Sequence, residues 1–456
     1  MSRPELRDSE IEGRRAKEEG KLFVRIRSET VALALFVAST AALSFGYGIA
    51  VDRYRVFPYK VLQAAREGYD ELRGRTGGET VYFRRVPDAN RAPIRRLAEA
   101  QDGVNLVVRI AQGPELSILI ADMQGRPIHE WTIDWFTIWP DATHIPKKIT
   151  PRSRPGTHVD GTVVMPNGDI VFNFEHLGLV RLDPAGKVVW RLAYQTHHSI
   201  HLDDNGHLWV SGEKNHTERD PRFPHRVPPF AEYTLLEVSP DGKLLREWSV
   251  DDLLVENGWG GMLHLGSLKN TALEVSGDIL HLNDVEPFPS TMTPGFFGPG
   301  DVLVSLRNVN TVFVFNADTR KIKFMTTGRF TRQHDPDFVD GNRFSVFDNM
   351  GVQPAAKDRQ SRIVIVTAPE QSVQVYYEGT PAHPFYTDIM GRHQWLPNGN
   401  LLITETRRGR AFEINRQGEI VWEYLNPAGN GIVGILEEVA RLPLEYGRLY
   451  SRPPGT

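Results

Sequence analysis

Histidine recurs at one place in a repeating pattern, a few residues ahead of a glycine turn. His158 lies in THVDGTVVMPNG, His197 and His198 in THHSIHLDDNG, His281 in ILHLNDVEP, His334 in RQHDPDFVDG and His393 in GRHQWLPNG. One such histidine alone is most simply a satisfied core residue. Five strands each supplying one at the equivalent place point instead to a site assembled from separate elements of a rigid scaffold. Arg307, in VLVSLRNVNTVFVF, joins the set, because an arginine in an apolar strand needs an anion to hold. A salt bridge to Asp335, Asp337 or Glu286 would meet that need without a ligand.

Cysteine is absent, which removes disulfides, thiolate metal sites and thiol nucleophiles. Two chemistries use several imidazoles and one guanidinium. In one, three neutral imidazoles with Asp335 or Asp337 bind a metal ion. In the other, one histidine attacks a sulfuryl or phosphoryl centre while the rest, with Arg307, hold the equatorial oxygens. The arginine favours the second, since a cation beside a metal dication is costly and an oxyanion invites one. No metal or cofactor is then required.

The elements that must position these residues are short strands. One recurring unit is a turn followed by a strand ending in tryptophan: DMQGRPIHEW to Trp131, DPAGKVVW to Trp190, SPDGKLLREW to Trp248 and NRQGEIVW to Trp422. A second is a glycine turn opening an apolar strand, around Gly168, Gly206, Gly341 and Gly399. Such turns between alternating apolar runs are hairpin signals. The two units alternate along the chain and make four-stranded antiparallel blades, about six of them between 104 and 427. The expected fold is all-β, a six-bladed β-propeller, the arrangement that hides sheet edges by radial repetition. The tryptophans are expected to pack between blades. Insertions at 140–157, 214–231 and 287–299 interrupt the pattern.

Thr30 to Val51 carries no charge and no proline, and its 22 residues suffice to cross a hydrocarbon core of about 30 Å. We expect a single uncleaved transmembrane anchor at 30–51, after a cytoplasmic segment at 1–29. The basic residues before the span outnumber those just after it, placing the remainder on the far side of a bacterial inner membrane, in the periplasm. Ala38, Ala42, Gly46 and Ala50 form a small-residue stripe that would suit a homodimer. Residues 52–103 read as a juxtamembrane helix and connector, and 428–456 as a C-terminal helix and tail. A net charge of −4 gives no electrostatic case for nucleic acid.

The stretches THHSIHLDDNGHLWV, ILHLNDVEP, VLVSLRNVNTVFVF, QHDPDF with VFDNM, and HQWLPNGNLLITET with VWEY resemble the bacterial arylsulfotransferase family, in the same order, over most of 158–427. The resemblance implies a six-bladed propeller that moves a sulfuryl group from an aryl sulfate donor to a phenolic acceptor without the nucleotide donor PAPS. It implies His334 as the nucleophile that carries the group, His281 and Asn283 as its supports, and Arg307 as the sulfate holder. The family's earlier channel histidine falls on His198, with His197 as the alternative because neighbouring strand residues face opposite sides. Asp335, His393 and His158 are expected in the substrate-binding lining. Ser199 departs from the family's usual acidic residue, and an anchor and connector replace its N-terminal β-rich domain. Two rival readings are a non-catalytic anchored propeller that binds a glycan or envelope protein, and a metal-dependent hydrolase or lyase.

Overall fold

The computed structural model describes the backbone from residue 5 to 54, with side chains from 28, and scattered positions from 56 to 69. It then describes residues 79–450, apart from 114, 148, 268–274 and 351–359. The chain forms two compact units, Met1–Tyr69 and Asp70–Thr456.

The first unit is one helix, α1 (Glu5–Tyr54). Its Ser28–Tyr54 stretch is long and apolar enough to cross a membrane, spanning about 40 Å at about 1.5 Å per residue. Alanine and leucine favour helix here, and apolar side chains such as Leu33, Phe36, Leu43 and Phe45 are exposed on it. The helix extends beyond the expected 30–51 span in both directions. Most of the expected juxtamembrane helix lies outside the described residues.

Among the described residues, the second unit holds six sheets built on four antiparallel strands each, and one small three-stranded sheet. Sheet II joins Val159–Val164, Ile170–Phe174, Gly178–Leu182 and Val188–Leu192. Sheet III runs from Gln195–Leu202 through Leu208–His216 and Arg226–Val238 to Leu244–Ser249, with Val275–Gly277 added in parallel. Sheets IV, V and VI begin at Leu282–Pro287, His334–Asp340 and Arg392–Trp395, each followed in order by three further strands.

Sheet I departs from the expected boundaries. Its strands Val104–Ala111, Glu115–Ala121 and Pro127–Ile133 take their fourth, innermost strand from Leu436–Leu442. The expected C-terminal helix is therefore confined to α2 (Leu444–Tyr450). Glu437, Glu438 and Ala440 are good helix formers, but Leu436 and Val439 pack into the cluster joining sheets VI and I, and that packing overrides propensity. The connector also contributes a strand: Phe83–Arg85 pairs with Ile432–Gly434.

The innermost strands touch in the cyclic order I, II, III, IV, V, VI and back to I. An apolar cluster fills each of the six junctions between neighbouring sheets. The repeated tryptophans act as latches across four of them. The indole N–H of Trp131 donates to the Asp183 carbonyl at 3.0 Å, Trp190 to Pro240 at 2.8 Å, Trp248 to Ala317 at 3.1 Å and Trp422 to Met123 at 2.8 Å. Each acceptor lies in a turn of the next sheet around the ring. Burial of the ring and satisfaction of its polar edge thus occur together.

Candidate active site

The inner strands break their register where they reach the axis. Shifts occur at Asp160/Thr162, opposite Val210/Ser211, at Leu282/Asp284 and at His334/Asp337. At these breaks, or just ahead of one in the case of His281, the backbone turns left-handed: Gly161 at φ 58°, His198 at 55°, His281 at 54° and Asp335 at 49°. A Cβ on Gly161 would stand 2.3 Å from the His198 carbonyl oxygen, so only glycine fits there. The two histidines and the aspartate have no such exemption, and each bears a cost of about 1–2 kcal/mol. Strain of this kind, gathered at one level, is characteristic of functional sites. Together the breaks line a narrow cavity of about 20 Å³ to which all six inner strands contribute, including His198, Asn283, His334 and Asp335.

Three of the expected histidines meet. The His198 ring lies 5.2 Å from that of His281 and 6.3 Å from that of His334. The tautomer of His334 follows from its neighbour Asn349. The Asn349 amide nitrogen donates to the carbonyls of Thr387 at 3.1 Å and Met390 at 2.8 Å, so its oxygen is left to face His334 Nδ1 at 2.7 Å. An amide oxygen only accepts, so His334 carries its proton on Nδ1. Its Nε2 is a buried lone pair without a partner among the described residues. Burial, then the charge of Arg307, lowers the His334 pKa to about 3. The ring is neutral across the physiological range.

His281 is oriented in a comparable way. Its Nδ1 meets Asp278 Oδ2 at 2.5 Å, leaving Nε2 buried and unpartnered among the described residues. Burial works to raise the Asp278 carboxyl, but hydrogen bonds from His281 and Tyr233 carry it below its ordinary value. Burial lowers His281 itself, against the pull of Asp278. His197 and His198 face each other, Nδ1 to Nδ1, at 2.8 Å, and burial lowers both well below 6.5. One of the two must donate and the other accept. Asn283 donates to the Gln333 carbonyl at 2.7 Å, next to the nucleophile candidate.

Arg307 differs from expectation in its element. The strand ends at Leu306, and Arg307 opens a single 3-10 turn, its backbone N–H donating to the His281 carbonyl at 2.9 Å. Among the described residues it forms no ion pair with a carboxylate, so the salt bridge to Asp335, Asp337 or Glu286 is not made. Burial, then the charge of Arg332, lowers its pKa to about 10.

The remaining expected residues do not join this group. Asp335 turns away: its carboxylate accepts the His393 backbone N–H at 2.6 Å and the Arg392 guanidinium at 3.3 Å. His393 binds Ser345 Oγ at 2.6 Å and lines a different cavity, of about 500 Å³, with Glu286, Asp337 and Glu438. His158 lies at the other opening, a cavity of about 480 Å³ shared with His176, Tyr233 and His281. Its Nδ1 meets Glu437 Oε1 at 2.6 Å; burial opposes charge there, but Glu437 prevails and raises the pKa to about 10. Sequence reasoning missed His176, Tyr233, Asp278 and Asn349. Only Asn349 carried a signal, as part of the VFDNM stretch.

The sequence profile of the Arylsulfotransferase (ASST) family matches residues 161–427. The chain belongs to that family. A search of the curated proteins returns no match. Among solved structures, the chain is similar to a protein of unknown function from Bacteroides caccae, at 12% identity and a TM-score of 0.46, covering 74% of this chain and 98% of that one. It is also similar to the Cps50 (Swd1) β-propeller domain of Myceliophteria thermophila, at 8% identity and a TM-score of 0.39, covering 76% and 89%. A third is virginiamycin B lyase from Staphylococcus aureus, at 14% identity and a TM-score of 0.34, covering 60% and 72%. At such TM-scores these likenesses carry no argument about the chemistry.

Proposed function

We propose that this arylsulfotransferase-family chain is a six-bladed propeller that transfers a sulfuryl group from an aryl sulfate to a phenol through a sulfohistidine at His334. The observation that carries the reading is the pairing of a neutral imidazole, its Nε2 without a partner among the described residues, with a guanidinium that has no carboxylate within 4 Å among them. In the first half-reaction His334 Nε2 attacks sulfur, the S–N bond forms, and the S–O bond breaks with its electron pair leaving on the aryloxide. His334 keeps its Nδ1 proton, donated to the Asn349 oxygen, so the intermediate is an imidazolium N-sulfonate, from which sulfur is displaced more easily than from a neutral sulfoimidazole. Arg307 and His198 hold the sulfuryl oxygens. In the second half the acceptor phenol gives its proton to His281 Nε2 while its oxygen attacks sulfur. The Asp278 carboxylate stabilises the resulting imidazolium, and the S–N electron pair returns to His334.

On this reading the unit Asp70–Thr456 works in the periplasm, tethered to the inner membrane by the apolar part of α1. The test is release of nitrophenolate from 4-nitrophenyl sulfate with phenol as acceptor, together with covalent labelling of His334 when the acceptor is withheld. Turnover in His334→Ala at the wild-type rate would refute the assignment.

A further inference from the structure

His176, His197 and Glu213 each offer a ligand atom lying within 4.8 Å of those of the other two. We propose that they form a binding site for a divalent transition metal of the zinc type, beside the sulfuryl-transfer site. The proposal rests on the reading of that site only for the role given to the ion.

Two other clusters share this spacing, Asp203–His207–Glu237 and Asp335–Asp337–His393. Both are already satisfied from within. His207 Nδ1 is 2.7 Å from Glu237, which also pairs with Arg246, and Asp335 is held by Arg392 and by a backbone N–H. The His176 cluster is different. The side chain of His197 is fully buried and its Nε2 makes no side-chain hydrogen bond among the described residues; the Gly212 backbone is the polar group that interacts with the ring, and an ion would take its place. His176 Nδ1 is buried and paired with Glu213 Oε2 at a long 3.3 Å; burial opposes charge on the ring, but that contact raises its pKa to about 9, so an ion would bind here in exchange for the ring proton. Two imidazole nitrogens and one carboxylate oxygen, with no thiol, are a common set for such an ion.

The supporting contacts suit ligation. Asn215 Nδ2 donates to Glu213 Oε1 at 2.9 Å, which holds the carboxylate with its other oxygen toward His176. Among the described residues no lysine or arginine approaches Glu213 within 4 Å, so this buried carboxylate has only an imidazole to offset its charge. His176 sits in the turn between Ile170–Phe174 and Gly178–Leu182 at φ 58°, a conformation that favours glycine. His176 and Glu213 both line the cavity of about 480 Å³, so a fourth coordination position would open onto it.

The ion would act on His198 through His197. Ligation at His197 Nε2 requires the proton on Nδ1, which then donates across the 2.8 Å contact to His198 Nδ1. His198 is thereby held with its own proton on Nε2, the form that donates to a sulfuryl oxygen. The ion lies behind His197 as seen from His198, and it positions without touching the reacting atoms.

The test uses the full-length chain in detergent, stripped with a chelator and titrated with Co²⁺ and then Zn²⁺. One Co²⁺ per chain is expected, with tetrahedral d–d absorption that Zn²⁺ displaces. Affinity should fall at least about a hundredfold in His176→Ala and Glu213→Gln, and persist in His334→Ala. In the stripped enzyme kcat for nitrophenolate release should fall about tenfold with KM unchanged, returning with Zn²⁺. Absence of saturable Co²⁺ binding by the wild-type chain overturns the site, as does undiminished binding in both ligand variants. Binding without any change in kcat overturns the role. Bound metal with no nitrophenolate release would count against the sulfotransferase reading alone, and release that does not depend on bound metal against the role of the ion alone.

Discussion

At one end of the axial cavity His198, His281 and His334 stand with Arg307, and burial pushes every one of these cations toward its neutral form. At the other, Glu286, Asp337 and Glu438 surround Arg392, and burial pushes the carboxyls up, Glu286 to about 8. The same inner strands build both ends. What differs is pairing: Arg392 lies 3.3 Å from Asp335 and 3.7 Å from Glu438, whereas Arg307 has no carboxylate within 4 Å among the described residues. A buried guanidinium with partners serves the fold, and one without them is free to meet an anion that arrives.

The comparison breaks most sharply at the two arginines. Arg307→Ala should lower kcat/KM for 4-nitrophenyl sulfate by about a hundredfold to a thousandfold while leaving the thermal midpoint unchanged or higher. Arg392→Ala should do the reverse. It leaves Asp335 and Glu438 buried without their cation, costing about 3 kcal/mol of stability in denaturant melts. If the two substitutions behave alike, the division between the ends is wrong.

Asn349→Ala comes next. Without its amide oxygen the proton of His334 is no longer held on Nδ1, and kcat should fall about a hundredfold with a small change in KM. Asn349→Asp accepts equally well and should recover part of the loss.

The pH dependence sharpens the contrast, because the ends respond with opposite sign. His334 has a folded pKa near 3, below its ordinary 6.5, so the unfolded chain takes up its proton first. Its contribution to stability is present above pH 6.5 and is lost as pH falls toward 3. Glu286 has a folded pKa near 8, above its ordinary 4.5, so stability is lost as pH rises from 4.5 through 8. Glu286→Gln should therefore melt a few degrees higher than wild type at pH 9 and no differently at pH 4.5. The smallest effect is expected from His393→Gln. It alters nitrophenolate release by less than about twofold and costs about 1 kcal/mol through its bond to Ser345.

The repeated turns and the tryptophan strand ends were legible from pattern, because each is a local rule of spacing; of the histidines, His197, His198, His334 and His393 lie on inner strands, while His158 and His281 immediately precede theirs. His281 and Arg307 were legible as neighbours through the resemblance. Which end of the cavity a histidine faces was not legible. His158, His334 and His393 lie at or just ahead of strand starts yet reach three different surroundings; the strand of His334 breaks register beside it, whereas that of His393 runs unbroken. Asn349 escaped notice for a related reason. Its role depends on the second strand of the hairpin turning back to His334 and on two carbonyls of a distant loop. The strand at Leu436–Leu442 was hidden by residues whose intrinsic preference is helical.

That strand has a consequence for how the molecule comes into being. Arg441 Nε donates to Asn105 Oδ1 across 336 residues of chain, and the innermost place in sheet I stays vacant until Leu436–Leu442 has been synthesised. Growing from the ribosome, the polypeptide would carry an open ring in which sheet I shows an unpaired inner edge and sheet VI an apolar face without its neighbour. Ring closure is then a late event of high contact order, and the interval before it is when the nascent chain most needs protection from other chains.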